Sequence, residues 1–127
     1  MPFLADSHTL RAYTVGMENG HTIAETQAYI KQAERIGLTA AERAAIKLYL
    51  SQHPDAGDLV QGSGGVRKVR FARRGTGKSG GVRVFTFYWR VDEPLYLLAV
   101  ISKTKQANLS NEQINILASI TKEIKNG

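Results

Sequence analysis

Lys68 and Arg70 stand two positions apart, and Arg83 follows across a glycine-rich stretch. Alternate residues of an extended strand point the same way, so Lys68 and Arg70 share one face. If the segment opening at Val82 is the next strand of a hairpin, the guanidinium of Arg83 joins them. Lys103 and Lys105 follow the next apolar run. Cations converging on one face with no neutralising carboxylate repel one another until an anion arrives. RNA brings both a phosphodiester and an internal nucleophile, its 2′-hydroxyl. Cleavage then needs that hydroxyl aligned with the scissile bond and a base to take its proton. It also needs cations around the pentavalent phosphorane and an acid for the leaving 5′-oxygen. A lysine whose pKa is lowered by neighbouring cations can serve as the base or the acid. The three cations are expected to lie exposed on their strand face, where removing one costs little stability.

The wider charge pattern supports a polyanionic partner. The chain carries 17 Lys and Arg against 11 Asp and Glu, a net charge of +6. Eight of the cations, Arg67, Lys68, Arg70, Arg73, Arg74, Lys78, Arg83 and Arg90, fall between Gly62 and Arg90, and no acidic residue lies between Leu59 and Val91. The remainder of the chain is slightly acidic. A field confined to one segment is suited to phosphates, because each contact releases condensed counterions. Arg67, Arg73, Arg74, Lys78 and Arg90 are therefore the candidates for docking onto RNA.

Other chemistries lack residues. There is no cysteine, which excludes disulfides, thiolate catalysis and cysteine-ligated zinc and fits a reducing cytosol. His8, His21 and His53 are scattered, without ligand spacing, so no metal site and no cofactor is expected. Gly75-Thr76-Gly77-Lys78-Ser79 looks like part of a phosphate loop, but Ala72 occupies the position of the first required glycine and a strand, not a helix, follows. No apolar run approaches the ~20 residues of a membrane span. The N-terminus has no secretory pattern. The expected setting is the cytoplasm, with no membrane partner.

These residues must be positioned by a small α+β domain. Residues 1–20 read as a loosely docked N-terminal extension, and 21–127 as the domain. Residues 21–26 suit a short strand. Ala28, Tyr29, Ala33 and Ile36 have helical spacing that ends at Gly37. A second helix opens with the capping box of Thr39 and Glu42 and stops before Pro54. Its inward stripe is expected to be Ala41, Ala44, Ala45 and Leu48, with Arg43 and Lys47 facing away. Period-two patterning marks a strand at 66–71, and runs rich in β-branched and aromatic residues, apolar on both faces, mark inner strands at 82–89 and 95–101, these two joined as an antiparallel hairpin through Asp92-Glu93-Pro94. Residues 73–81 form a basic, glycine-rich loop. A last helix starts near Asn111, with a capping box of Ser110 and Gln113, a staple of Leu109 and Ile114, and a buried face of Ile114, Leu117, Ala118 and Ile124.

Ordered runs along these elements carry a family resemblance. They are Pro54-Asp55-Ala56-Gly57-Asp58-Leu59-Val60-Gln61-Gly62-Ser63-Gly64-Gly65-Val66-Arg67-Lys68-Val69-Arg70, then Gly77-Lys78-Ser79-Gly80-Gly81-Val82-Arg83-Val84, Leu97-Leu98-Ala99-Val100, and the stretch from Lys103 to Ser110. From about Ile23 to Lys125 the chain resembles the RelE/ParE toxin superfamily, in particular its HigB-like branch. The resemblance implies a helical hairpin packed on a small antiparallel sheet and a C-terminal helix. It implies a type II toxin that enters the ribosomal A site and cuts translated mRNA, an mRNA interferase needing no metal. It implies a cognate antitoxin, typically of helix-turn-helix type, through which operator DNA is bound. The family's basic pair falls on Lys68 and Arg70, its next-strand arginine on Arg83, and its later basic residue on Lys103 or Lys105. Well-known members carry a tyrosine near the C-terminus; Leu109 lies near that place here, and no tyrosine follows Tyr96. Two other functions remain open at this point. One is a ParE-like toxin that inhibits DNA gyrase without nuclease action. The other is a nucleic-acid-binding co-repressor, although no helix is basic enough to read as a recognition helix.

Overall fold

The computed structural model describes residues 12–15, 20–73 and 81–127. The chain order is β1 (Ala12–Val15), β2 (Ile23–Thr26), α1 (Gln27–Ile36), α2 (Ala40–Gln52), β3 (Asp58–Leu59), β4 (Val66–Phe71), β5 (Val82–Phe87), β6 (Leu95–Ser102) and α3 (Asn111–Asn126). The strands form one sheet in the order β1-β2-β6-β5-β4-β3. All neighbours are antiparallel except β2 and β6, which run parallel with Ile23 opposite Leu95. The fold is α+β and RelE-like, as expected, with this parallel pair as a departure from a purely antiparallel sheet. A second departure is β1. Residues 12–15, assigned from sequence to a loose arm, pair with β2 along the sheet edge.

Two apolar clusters sit on opposite sides of the sheet. Val69, Val82, Val84, Leu97 and Val100 meet Tyr29, Ala33, Ile46 and Leu50 of α1 and α2. Val66, Phe85, Phe87 and Ile101 meet Leu117 and Ile120 of α3. The alternating side chains of β4 and β5 thus divide between two helical layers. The Thr26 side chain caps α1 by accepting from the Tyr29 amide at 3.2 Å, and its hydroxyl donates to the Leu97 carbonyl at 2.9 Å. Gly37 closes α1 in the left-handed region at φ 88°, a conformation cheap only for glycine. Both capping boxes form. In α3, Leu117 is buried as expected, but Ile120 and Thr121 replace Ile114, Ala118 and Ile124 at the centre of the buried face.

The face of α2 is opposite to the one its pattern suggests. Ala41, Ala44, Ala45 and Leu48 are exposed, and Ile46, Leu50 and Ser51 are buried. Arg43 and Lys47 turn inward to Glu25 of β2, at 3.2 Å and 3.5 Å from its carboxylate oxygens. Glu25 is 4% exposed. A carboxylate at that depth is costly without partners, and two cations one helical turn apart supply them. Burial pushes the Tyr29 hydroxyl pKa well up, and the Glu25 carboxylate adds to it.

Candidate functional site

The register of β4 and β5 fixes the position of the cations. Arg70 is directly opposite Arg83, and Lys68 is opposite Phe85. Directly opposed residues share a face, so all three cations lie on the α3 side of the sheet. α3 covers only part of that side. Its Thr121 hydroxyl donates to the Ser63 carbonyl at 3.0 Å, and its Lys125 ammonium donates to Gly64 at 3.1 Å, which places the helix over the Val66 end of β4. Lys68, half-buried, and Arg70, exposed, lie progressively further from that end.

Arg83 departs from expectation. It is 6% exposed, not a free surface cation. Its Nη1 donates to the Ala107 carbonyl at 2.7 Å, which ties β5 to the loop between β6 and α3. Its Nε is buried with no hydrogen-bond partner among the described residues. A charge-assisted bond to a carbonyl explains how the side chain tolerates burial. The same bond makes Arg83 a support for the loop as well as a candidate phosphate ligand. The loop is braced further by Gln106, which donates to the Asn108 carbonyl at 2.9 Å and to the Gln113 side chain of α3.

Lys68 opens onto a depression of about 240 Å³. Phe85 lies at its floor, Asp58 and Gln61 on one side, Asn108 and Ile114 on the other. The β3 side depends on Gly57. This residue has φ 94°, and a side-chain Cβ there would lie 2.5 Å from the Lys68 carbonyl oxygen, so only glycine allows the chain so close to β4. β3 then pairs Asp58 with Lys68 and Leu59 with Arg67. Asp58, Gln61 and Asn108 were not among the residues singled out from sequence. A two-residue strand inside a turn-rich segment has no detectable period, and a loop asparagine has none either.

The other predicted cations are dispersed. Lys103 is exposed just beyond β6, its amide donating to the Gly81 carbonyl at 3.1 Å, which keeps it near the Arg83 end of β5. Lys105 lines a different groove with Gln32, Arg35 and Arg73. Arg67 lies on the opposite sheet face from Lys68 and donates to the Gly57 carbonyl at 3.0 Å. Arg73 is clamped to α2: its Nε and Nη2 donate to the two Glu42 carboxylate oxygens at 2.8 Å and 3.0 Å. Those bonds from Arg73, with the Thr39 amide, hold the Glu42 pKa down at about 2. Arg90 lies past the far end of β5 from Arg83, 3.4 Å from Asp92 and 4.1 Å above the Trp89 ring. Arg74 and Lys78 lie outside the described residues. His21 Nε2 is 2.7 Å from the Glu93 carbonyl oxygen, and His53 stacks on Tyr49, both away from the cationic face.

The arrangement brings three cations together with a largely apolar depression that carries a few polar groups at Asp58, Gln61 and Asn108. It can grip one phosphate between Lys68, Arg70 and Arg83 and seat adjoining chemical groups beside Phe85. Residues 45–126 match the family model described as the RelE toxin of the RelE/RelB toxin–antitoxin system. The matched stretch contains the whole cationic face and the depression.

Proposed function

The chain belongs to the RelE toxin family, so it is the toxin of a toxin–antitoxin pair with a cognate antitoxin, and from that premise we propose that it is an endoribonuclease that cuts translated mRNA on the ribosome. The observation that carries this reading is the pairing of Arg70 with Arg83 beside Lys68 on one sheet face. Two guanidinium groups in direct cross-strand register repel each other, and the site becomes favourable when a phosphate lies between them. The RNA 2′-hydroxyl is the nucleophile. Lys68, Arg70 and Arg83 neutralise the phosphorane as negative charge builds on its non-bridging oxygens. Lys103, at the Arg83 end of the sheet, adds to the field around the substrate. Lys105, in another groove, is assigned to ribosome contact.

The ribosome supplies alignment. Among the described residues the face is shallow and open beyond α3, and A-site geometry provides the in-line approach. Leu109, in place of an aromatic residue, lines the depression, consistent with a HigB-like member that relies on cations and positioning. The antitoxin is of helix-turn-helix type, and operator DNA is reached through it. The site of action is the cytoplasm, where translated mRNA is found.

Purified protein incubated with mRNA-programmed ribosomes should produce discrete cuts by primer extension, and free mRNA should stay largely intact. Lys68→Ala should abolish the cuts with an unchanged melting temperature. Equal cutting of free and ribosome-bound RNA would remove the ribosome dependence. Arrested growth with intact mRNA and altered DNA supercoiling would replace the nuclease by a gyrase inhibitor.

A further inference from the structure

We propose that Asp58 takes the proton from the RNA 2′-hydroxyl, an assignment that rests on the ribonuclease reading of this face. Asp58 is registered directly against Lys68, and Lys68 against Phe85, so the three form one row across β3, β4 and β5. Arg70 and Arg83 form the next row. Opposed Cβ atoms in such a row are about 5 Å apart, which puts a carboxylate beside the cation nearest the depression. Asp58 and Lys68 both line that depression. A scissile phosphate held by the two rows therefore presents its flanking ribose to Asp58.

The position of Asp58 is built into the backbone. Gly57 allows β3 to approach β4 closely, and Arg67 holds the Gly57 carbonyl from the other sheet face at 3.0 Å. Several other carboxylates among the described residues are engaged elsewhere. Glu25 is buried with Arg43 and Lys47, Glu42 is bonded to Arg73, and Asp92 and Glu93 lie beside Arg90. Tyr96 is across from Phe87, at the other end of β5 from Arg83. The chemistry balances without a further reagent. The 2′-oxygen forms a bond to phosphorus as its proton passes to the Asp58 carboxylate. The bond from phosphorus to the 5′-oxygen breaks, and that oxygen takes a proton from the Lys68 ammonium. The products are a 2′,3′-cyclic phosphate and a 5′-hydroxyl.

The test is single-turnover cleavage of ribosome-bound mRNA by the full chain, with Asp58→Asn and Asp58→Glu beside Lys68→Ala. Asp58→Asn should lower the rate by about 10²- to 10⁴-fold, with ribosome affinity and melting temperature unchanged, and Asp58→Glu should restore part of the rate. A substrate with sulfur at the bridging 5′ position needs no acid for departure. It should restore the part of the Lys68→Ala loss that is due to leaving-group protonation and leave Asp58→Asn defective. Rescue of Asp58→Asn by that substrate, or Asp58→Asn cutting within threefold of wild type while Lys68→Ala is inactive, overturns the assignment and leaves the ribonuclease in place. Absence of cutting by the wild-type protein overturns both.

Discussion

Replacing Arg70 with Gln should stabilise the free protein and disable the toxin. Arg70 is exposed and stands in direct register with Arg83, which is 6% exposed. With opposed Cβ atoms about 5 Å apart and the charged heads splayed to ~7 Å, an effective dielectric of ~40 gives a repulsion of about 1 kcal/mol. Glutamine retains most of the stem and removes the charge. Urea unfolding at low salt should therefore show a gain of about 1 kcal/mol with an unchanged slope on denaturant. The melting temperature should rise by about 4 °C for a chain of this length. In ~1 M salt, where the Debye length is about 3 Å, most of the gain should vanish. Cleavage of ribosome-bound mRNA should fall by about 10²-fold or more, the usual cost of one transition-state donor. A short oligonucleotide should raise the melting temperature of wild type more than that of the variant. A loss of stability above ~0.5 kcal/mol at low salt would show that Arg70 is held by favourable structural contacts, and the account of this face as an unfilled anion site would fail.

Arg83→Ala should behave differently from Lys68→Ala, because it also removes the bond to Ala107; amide exchange at residues 107–109 should accelerate and the melting temperature should fall, whereas equal exchange in both variants would remove its supporting role. The Glu42–Arg73 clamp predicts a pH effect with a definite sign. The folded carboxyl titrates at about 2 against an ordinary 4.5, so its contribution is complete above pH 4.5 and is lost as pH falls toward 2. Both side chains retain about a quarter of their exposure, so solvent screening reduces the effect to about 1 kcal/mol. Comparing urea midpoints of wild type and Glu42→Gln should show that gap at pH 7 and its closure by pH 2; a gap constant across pH would refute the clamp. In ribosome binding, Arg70→Ala should reduce the slope of log affinity on log salt by about one, and Arg90→Ala should not, since Arg90 sits beside Asp92 and Glu93 at the other end of the sheet. Equal slopes in the two variants would show that position on the sheet does not decide which cations meet phosphate.

The helices and the cationic strand were legible because local rules specify them. Gly37 ends α1, and the Thr39 and Ser110 boxes open α2 and α3 at the expected residues. Alternation along Val66–Phe71 was enough to put Lys68 and Arg70 on one face and Val69 and Phe71 on the other. What escaped depended on distant partners. Alanine carries little information about burial, so Ala41, Ala44 and Ala45 pointed the wrong way once Glu25, far back in the chain, drew Arg43 and Lys47 inward. The burial of Arg83 depends on a carbonyl 24 positions later. Asp58 was passed over because the basic segment begins after it, and only the β3–β4 register makes it a neighbour of Lys68. Trp89 and Tyr88 read as strand, yet β5 stops at Phe87 before the turn that holds Arg90.

The parallel pairing of β2 with β6 also orders events during synthesis. Ile23 meets Leu95, and the Thr26 hydroxyl reaches the Leu97 carbonyl 71 positions away. β5 has its inner neighbour only once β6 has been made, and the depression at Lys68 is complete only when Asn108 and Ile114 are in place. Pairings of such separation form late and slowly. A nascent chain therefore stays without its cationic site until β6 and the start of α3 have been made, and the toxin comes into being only after that point of synthesis.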